Sequence, residues 1–234
     1  MSDSEAARVL RDGSGPIDDL ALTLPVFVGY HLGVVFLPVR NAADLVTHEL
    51  VALADNNLLA YSGLTLAIGV CFVAVLLMLG RRQSLSLQRF LLVGVEGILY
   101  AVAMRLAAGY VVGKLHLVGL GTDVGPFAGL VIALGAGFYE ELVFRVFLFG
   151  VGLRVLAPLF MTTPRAVFAV IWAALVAAVF SGWHYFGELG DTFELRSFVF
   201  RWVCGLVFTV IYAFRGFAPA VWTHALYDVW VLAL

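Results

Sequence analysis

Seven long apolar runs follow one another along this 234-residue chain, separated by short polar stretches, and that pattern leaves few folds open. At the roughly 20 residues a helix needs to cross a bilayer, the runs are Ala21 to Val39, Leu59 to Gly80, Phe90 to Val112, Gly125 to Leu156, Ala166 to Phe186, Phe198 to Phe214 and Ala218 to Leu234. Hydrocarbon offers no water to backbone N–H and C=O groups, so a crossing segment must be a helix or part of a closed barrel. The short alternating pattern of barrel strands is missing from the sequence. The expected fold is therefore all-α, a polytopic integral membrane bundle of about seven to eight transmembrane helices. Composition agrees, with 62% hydrophobic and 13% charged residues and a mean hydropathy of +1.01, against about 45–50% and about 25% in soluble domains. The lipid bilayer is the first expected partner, and with a net charge of −2 and no basic patch, no nucleic acid is expected.

The expected organisation is a polar N-terminal tail over 1–20, three accessory transmembrane helices over 21–124 and a catalytic helical core over 125–234. The tail carries Asp3, Glu5, Asp12, Asp18 and Asp19, and the run after it has the length of a span without a small-residue cleavage site, so a retained first helix is expected. The fourth run is too long for one straight crossing; it tilts, breaks near Gly135 and Gly137, or continues along the interface. Pro126 and Pro219 fall near helix starts, and Pro158 and Pro164 bracket a turn. Cys71 and Cys204 lie in apolar runs without CxxC spacing, which suits buried thiols better than a disulfide framework or a zinc ribbon.

Lys and Arg set the expected orientation. With the N-terminus cytoplasmic, Arg8, Arg11, Arg81, Arg82, Arg89, Arg154, Arg165 and Arg215 fall inside, against Arg40, Lys114 and Arg196 outside. Arg105, Arg145 and Arg201 stay within spans.

Ionisable groups in hydrocarbon are costly and must be paired or put to use. Glu140 and Glu141 stand side by side in the fourth run, with Arg145 following. Glu141 and Arg145 are spaced i, i+4, so they share a helix face and can neutralise each other through a charge-assisted hydrogen bond. Glu140 points about 100° away from its neighbour, which leaves one structural carboxylate and one candidate general base. His184 closes the fifth run, and His224 with Asp228 repeats the i, i+4 spacing in the last. At about 1.5 Å per residue, the depths of Glu140, His184 and His224 differ by about 10 to 20 Å, so depth alone does not bring them together.

Glu-Glu-x-x-x-Arg at 140–145, Phe-x-x-x-His at 180–184 and His-x-x-x-Asp at 224–228 stand in an order that resembles the CAAX protease and bacteriocin-processing (CPBP, or Abi) family of intramembrane glutamic endopeptidases, related to type II CAAX prenyl endopeptidases. The resemblance covers roughly Pro126 to Leu234. It implies core helices around a water-filled cavity and peptide-bond hydrolysis without an acyl-enzyme. On that likeness Glu140 and His184 activate the attacking water, His224 and Asp228 stabilise the oxyanion, and Glu141 with Arg145 holds the helix and tunes Glu140. It also implies a membrane-associated peptide or protein as substrate, cut near its end. Asp228 departs from the asparagine of the prenyl proteases. An ionised carboxylate accepts hydrogen bonds and repels an oxyanion, so Asp228 is either protonated or serves to orient and charge His224.

Three rival readings remain. Glu140, Glu141 and Arg145 could form an ion-paired kink, in a non-catalytic scaffold of the same fold. The four polar groups could relay protons in a carrier, although no inverted repeat is visible. Two histidines with carboxylates could ligate zinc or iron, but without HExxH or a histidine cluster no metal and no cofactor are expected. His31, His48 and His116 lie singly near span ends or in loops and suit packing or interface roles, and Glu96 or Arg105 could each pair with another helix. A small chain rich in Ala, Val, Leu and Arg without organelle signals suits a prokaryotic cytoplasmic (inner) membrane.

Overall fold

Proline, asparagine and glycine set the helix ends. Pro16 opens α1 (Pro16–Phe36), with Asp18 and Asp19 in its first turn, where carboxylates suit the positive end of the helix dipole. Asn57 opens α2 (Leu58–Leu79), its Oδ1 accepting from the amides of Leu59 and Ala60 at 3.0 and 3.1 Å. Four helices complete the core after α3 (Leu87–Val111): α4 (Pro126–Leu159), α5 (Arg165–Trp183), α6 (Leu195–Arg215) and α7 (Phe217–Leu232). This computed structural model describes residues 16–37, 57–79, 87–111, 125–160, 164–186 and 190–233, with no strand among them. Outside the described residues lie His48, His116 and most of the 1–20 tail; the Cys71 side chain and the orientation-setting Arg8, Arg11, Arg40, Arg81, Arg82 and Lys114 are outside them too.

Among the described residues, five helical stretches are long and apolar enough to cross a membrane: Ile17–Phe36, Leu87–Ala107, Pro126–Leu159, Arg165–Trp183 and Leu195–Arg215. The surface fits that reading, because Leu91, Val95, Leu99 and Leu106 on α3 and Val170, Leu175 and Val179 on α5 are all exposed. Apolar side chains facing outward on several helices suit a lipid surround, and the chain is an integral membrane protein. At 16 residues α7 is the shortest of the described helices, yet it is the centre of the bundle and packs against α1, α3, α4 and α6. Its buried residues run from Phe217 to Tyr227 and include His224.

Contrary to one expectation for the long fourth run, α4 does not break at Gly135 and Gly137. It continues to Leu159, and it widens into π-helical turns over Ala136–Glu140 and Leu142–Val151. Such turns use i→i+5 hydrogen bonds and occur chiefly as short insertions at functional sites. Here they surround Glu140, Glu141 and Arg145. The Trp172 indole on α5 donates to the Leu148 carbonyl at 2.9 Å, giving the widened helix a fixed neighbour.

Small residues let α4 and α7 meet at the level of the acidic pair. A Cβ on Gly137 would lie 2.6 Å from Ala225 Cβ and 2.8 Å from the Ala225 backbone nitrogen, too close for either helix to stay in place. Gly137→Val is therefore expected to lower thermal stability by about 1–3 kcal/mol, the usual cost of overpacking. Thermal unfolding checks this, with Gly94→Val as the control, since a Cβ on Gly94 meets nothing within 4 Å.

The turn into α7 is equally constrained. Gly216 alone joins α6 to α7, at φ 98°, a region glycine enters without steric cost. Asp19 of α1 then caps the new helix, its Oδ2 accepting from the Phe217 amide at 2.5 Å. A carboxylate from the far end of the chain thus fixes the start of the helix that carries His224 and Asp228.

Candidate active site

The groups at the centre come from three parts of the fold: Glu140, Glu141 and Arg145 from α4, His184 from the residue after α5, and His224 with Asp228 from α7. Glu140 Oε2 lies 3.9 Å from His184 Nε2 and 3.9 Å from His224 Nε2. His224 Nε2 is also 3.4 Å from Asp228 Oδ2. All four residues singled out for chemistry thus surround one point. Glu140 and His224 are buried at 5% and 4% exposure, whereas His184 and Asp228 are half-buried and give the point an open side.

His184 Nδ1 lies 2.9 Å from the Phe180 carbonyl of its own last helical turn, which bends the ring back along α5 toward Glu140. A carbonyl only accepts, so His184 Nδ1 carries a proton and Nε2 is the ring nitrogen turned to the centre.

His224 is held on three sides. Its Nδ1 lies 2.7 Å from Glu141 Oε1, and an ionised carboxylate there accepts the Nδ1 proton. The Phe208 ring of α6 stacks on the imidazole with centroids 4.4 Å apart and planes inclined by 18°. Phe180 meets it edge-on at 6.0 Å. With Nδ1 committed to Glu141, Nε2 accepts when the ring is neutral and donates when both nitrogens carry protons.

Arg145 completes the arrangement, and here the sequence expectation needs a correction. Its Nε is 3.1 Å from Glu141 Oε2, so the pair is an ion pair between side chains 1% and 0% exposed. Neither atom meets hydrogen-bond geometry, however, and the contact is Coulombic rather than the aligned bond expected from the spacing. The guanidinium is held instead by the Gly205 carbonyl, 3.3 Å from Nη2, and by the Phe180 and Phe208 rings, whose centroids lie 4.4 and 5.1 Å away. Glu141 therefore bridges Arg145 and His224, a link that no spacing in the sequence marks because the two ends lie on different helices. Phe208 and Gly205 carry no mark in the sequence either, being an ordinary aromatic and an ordinary glycine in an apolar run.

The remaining candidates lie elsewhere. His31 Nε2 is 2.6 Å from the Tyr139 hydroxyl within a cluster formed by Phe27, Tyr30 and Phe138. Glu96 forms a two-pronged pair with Arg215, at 2.5 and 3.1 Å, and accepts from the Tyr100 hydroxyl at 2.6 Å. Arg105 lies 4.6 Å over the Trp230 ring. Cys204 is a buried free thiol. No group of three or more His, Cys, Asp or Glu among the described residues has the mutual placement to hold a metal ion.

Residues 123–230 match a family model described as type II CAAX prenyl endopeptidase Rce1-like. Over this segment, just under half of the chain, the sequence is similar to that family. The Rce1-like segment contains all six of Glu140, Glu141, Arg145, His184, His224 and Asp228, and it spans α4 to α7. The Rce1-like family is a protease family, which supports a hydrolase acting on membrane-associated substrates. Searches of curated proteins and of solved structures return no match.

Proposed function

We propose that this protein is an intramembrane endopeptidase of the glutamic type, in which Glu140 and His184 activate a water that attacks a peptide bond. The supporting observation is the placement of Glu140 Oε2 at 3.9 Å from two imidazole Nε2 atoms carried by other elements. A water about 2.8 Å from each group would bend between them. It would donate one hydrogen to the Glu140 carboxylate and one to the His184 Nε2 lone pair, leaving its own lone pair for the substrate carbonyl. As the C–O bond forms, Glu140 takes the proton, and it can return that proton to the leaving amine.

The developing oxyanion needs a fixed donor. With both ring nitrogens protonated, His224 would give Nδ1–H to Glu141 and Nε2–H to the oxyanion. Asp228, 3.4 Å from Nε2, would balance the ring's charge before substrate arrives. On this reading the donor is His224 alone, and Asp228 is dispensable as a donor. Asp228→Asn is expected to retain cleavage within about tenfold, because an amide can accept from His224 and can also donate to an oxyanion. Steady-state cleavage rates of the two proteins check it.

The proposal extends to seven to eight spans, a cytoplasmic N-terminus, a prokaryotic inner membrane and a substrate cut near its C-terminal end or sorting tail. It also comprises chemistry by side chains and water, without metal. The test is cleavage of a membrane-anchored peptide by purified protein in lipid vesicles, with and without chelator. Cleavage that survives the chelator supports the reading. Activity lost to chelator and restored by zinc replaces it with a metallopeptidase, and proton flux without cleavage replaces it with a carrier.

A further inference from the structure

Arg105 stands in the last turn of the apolar stretch Leu87–Ala107, and its guanidinium rests 4.6 Å over the Trp230 ring of α7. A cation within a span must be paired or put to use. Among the described residues no carboxylate pairs with it. Glu96, the acid of α3, lies nine residues back, about 13 Å along the helix, and is taken by Arg215. Asp228, the acid of α7, stands two residues before Trp230, hence about 160° around the helix, and faces His224. The Arg105 guanidinium meets no hydrogen-bond acceptor among the described residues either.

Trp230 is in the same condition. The indoles of Trp172, Trp202 and Trp222 each donate to a backbone carbonyl at 2.9 Å. The Trp230 N–H meets no acceptor among the described residues, and its ring is exposed. Two donors therefore stand together without an acceptor. They lie near the ends of two parallel helices, because Gly97 faces Trp222 and, eight residues further along each helix, Arg105 faces Trp230. Arginine and tryptophan near the end of a span suit the level of the lipid headgroups. Toward the middle of the span, Ile98 and Val102 share the Arg105 face of α3 at i, i+4, i+7 spacing, and both are exposed. Donors without an acid, at the head of an exposed apolar track, match the two parts of a phospholipid: a phosphate for the guanidinium and indole, and an acyl chain for the track.

We propose that Arg105 and Trp230 hold the phosphate of an anionic phospholipid between α3 and α7, with an acyl chain along Ile98 and Val102. Charge selects the anionic lipid, since a zwitterionic headgroup carries its own cation and brings no net charge to Arg105. Bound there, the lipid ties α3 to the helix that carries His224 and Asp228. A ligand of the folded protein alone also raises its stability. The site does not depend on the protease reading, and Arg105 lies outside the matched residues 123–230.

The probe is dioleoyl phosphatidylglycerol added to the purified protein in a neutral detergent, with bound lipid counted by native mass spectrometry. One molecule is expected to bind wild type about tenfold to a hundredfold more tightly than it binds Arg105→Gln, the range of a hydrogen bond to a charged group. Arg105→Lys should keep part of that affinity. Trp230→Phe, which keeps a ring and removes the N–H, should weaken binding by about threefold to tenfold. Arg196→Gln, which removes an exposed cation of α6, should bind as wild type does. Phosphatidylcholine with the same chains should bind wild type more weakly, and dioleoylglycerol, which lacks the phosphate, should not distinguish wild type from Arg105→Gln. Equal phosphatidylglycerol binding by wild type and Arg105→Gln, an equal loss in Arg196→Gln, or equal binding of phosphatidylglycerol and phosphatidylcholine overturns the proposal. Inorganic phosphate is the other source of the same chemistry, and displacement of the lipid by millimolar inorganic phosphate replaces the lipid site with a site for the free anion. Should Arg105→Gln fail to fold, a Trp230→Phe protein with wild-type affinity overturns the proposal as well.

Discussion

Arg145→Met is expected to destabilise the protein by about 3–5 kcal/mol, the cost of breaking a buried pair from one side. Arg145 and Glu141 are almost wholly buried, so the substitution takes the guanidinium from the Glu141 carboxylate and leaves it with His224 alone. Methionine fills much of the space between Phe180 and Phe208 but supplies no charge and no donor to the Gly205 carbonyl. The double variant Glu141→Gln, Arg145→Met should recover much of the loss, because no charge is then left uncompensated and glutamine can still accept from His224. Thermal unfolding of the wild type, the single and the double variants in nanodiscs measures the coupling. A single variant as stable as wild type would mean that the Glu141–Arg145 pair does not hold the centre together.

The membrane character of the chain was legible because lipid imposes one strong rule: apolar stretches of sufficient length, all helical. The acidic pair, the two histidines and Asp228 were legible because ionisable groups stand out against apolar neighbours. What stayed hidden depends on interhelical geometry. The π-helical widening of α4 leaves no mark in composition, and the glycines at 135 and 137 allow a break, a tilt or a continuation alike, whereas Gly137 in fact admits the Ala225 backbone. The Glu141–His224 bond joins residues 83 apart in the chain, and no spacing rule reaches across that distance. Depth counted in residues along straight helices keeps His184 apart from Glu140, although their side-chain atoms lie 3.9 Å from each other. Likewise α7 looked like one span among seven, yet its short length and burial on four sides make it the core of the bundle.

The central claim is that Glu140 serves as the base for an attacking water. Glutamine at 140 preserves length and shape and can still accept a hydrogen bond through its carbonyl oxygen, but it cannot take a proton from water at neutral pH. Loss of a positioned general base costs about 10²–10⁴-fold in rate. The decisive measurement is cleavage of one membrane-anchored peptide by wild-type and Glu140→Gln protein in the same vesicles, with product quantified by mass spectrometry and folding checked by thermal unfolding. The expected result is a loss of at least about a hundredfold in rate with the unfolding transition intact. Cleavage by folded Glu140→Gln protein at the wild-type rate would contradict the glutamic mechanism.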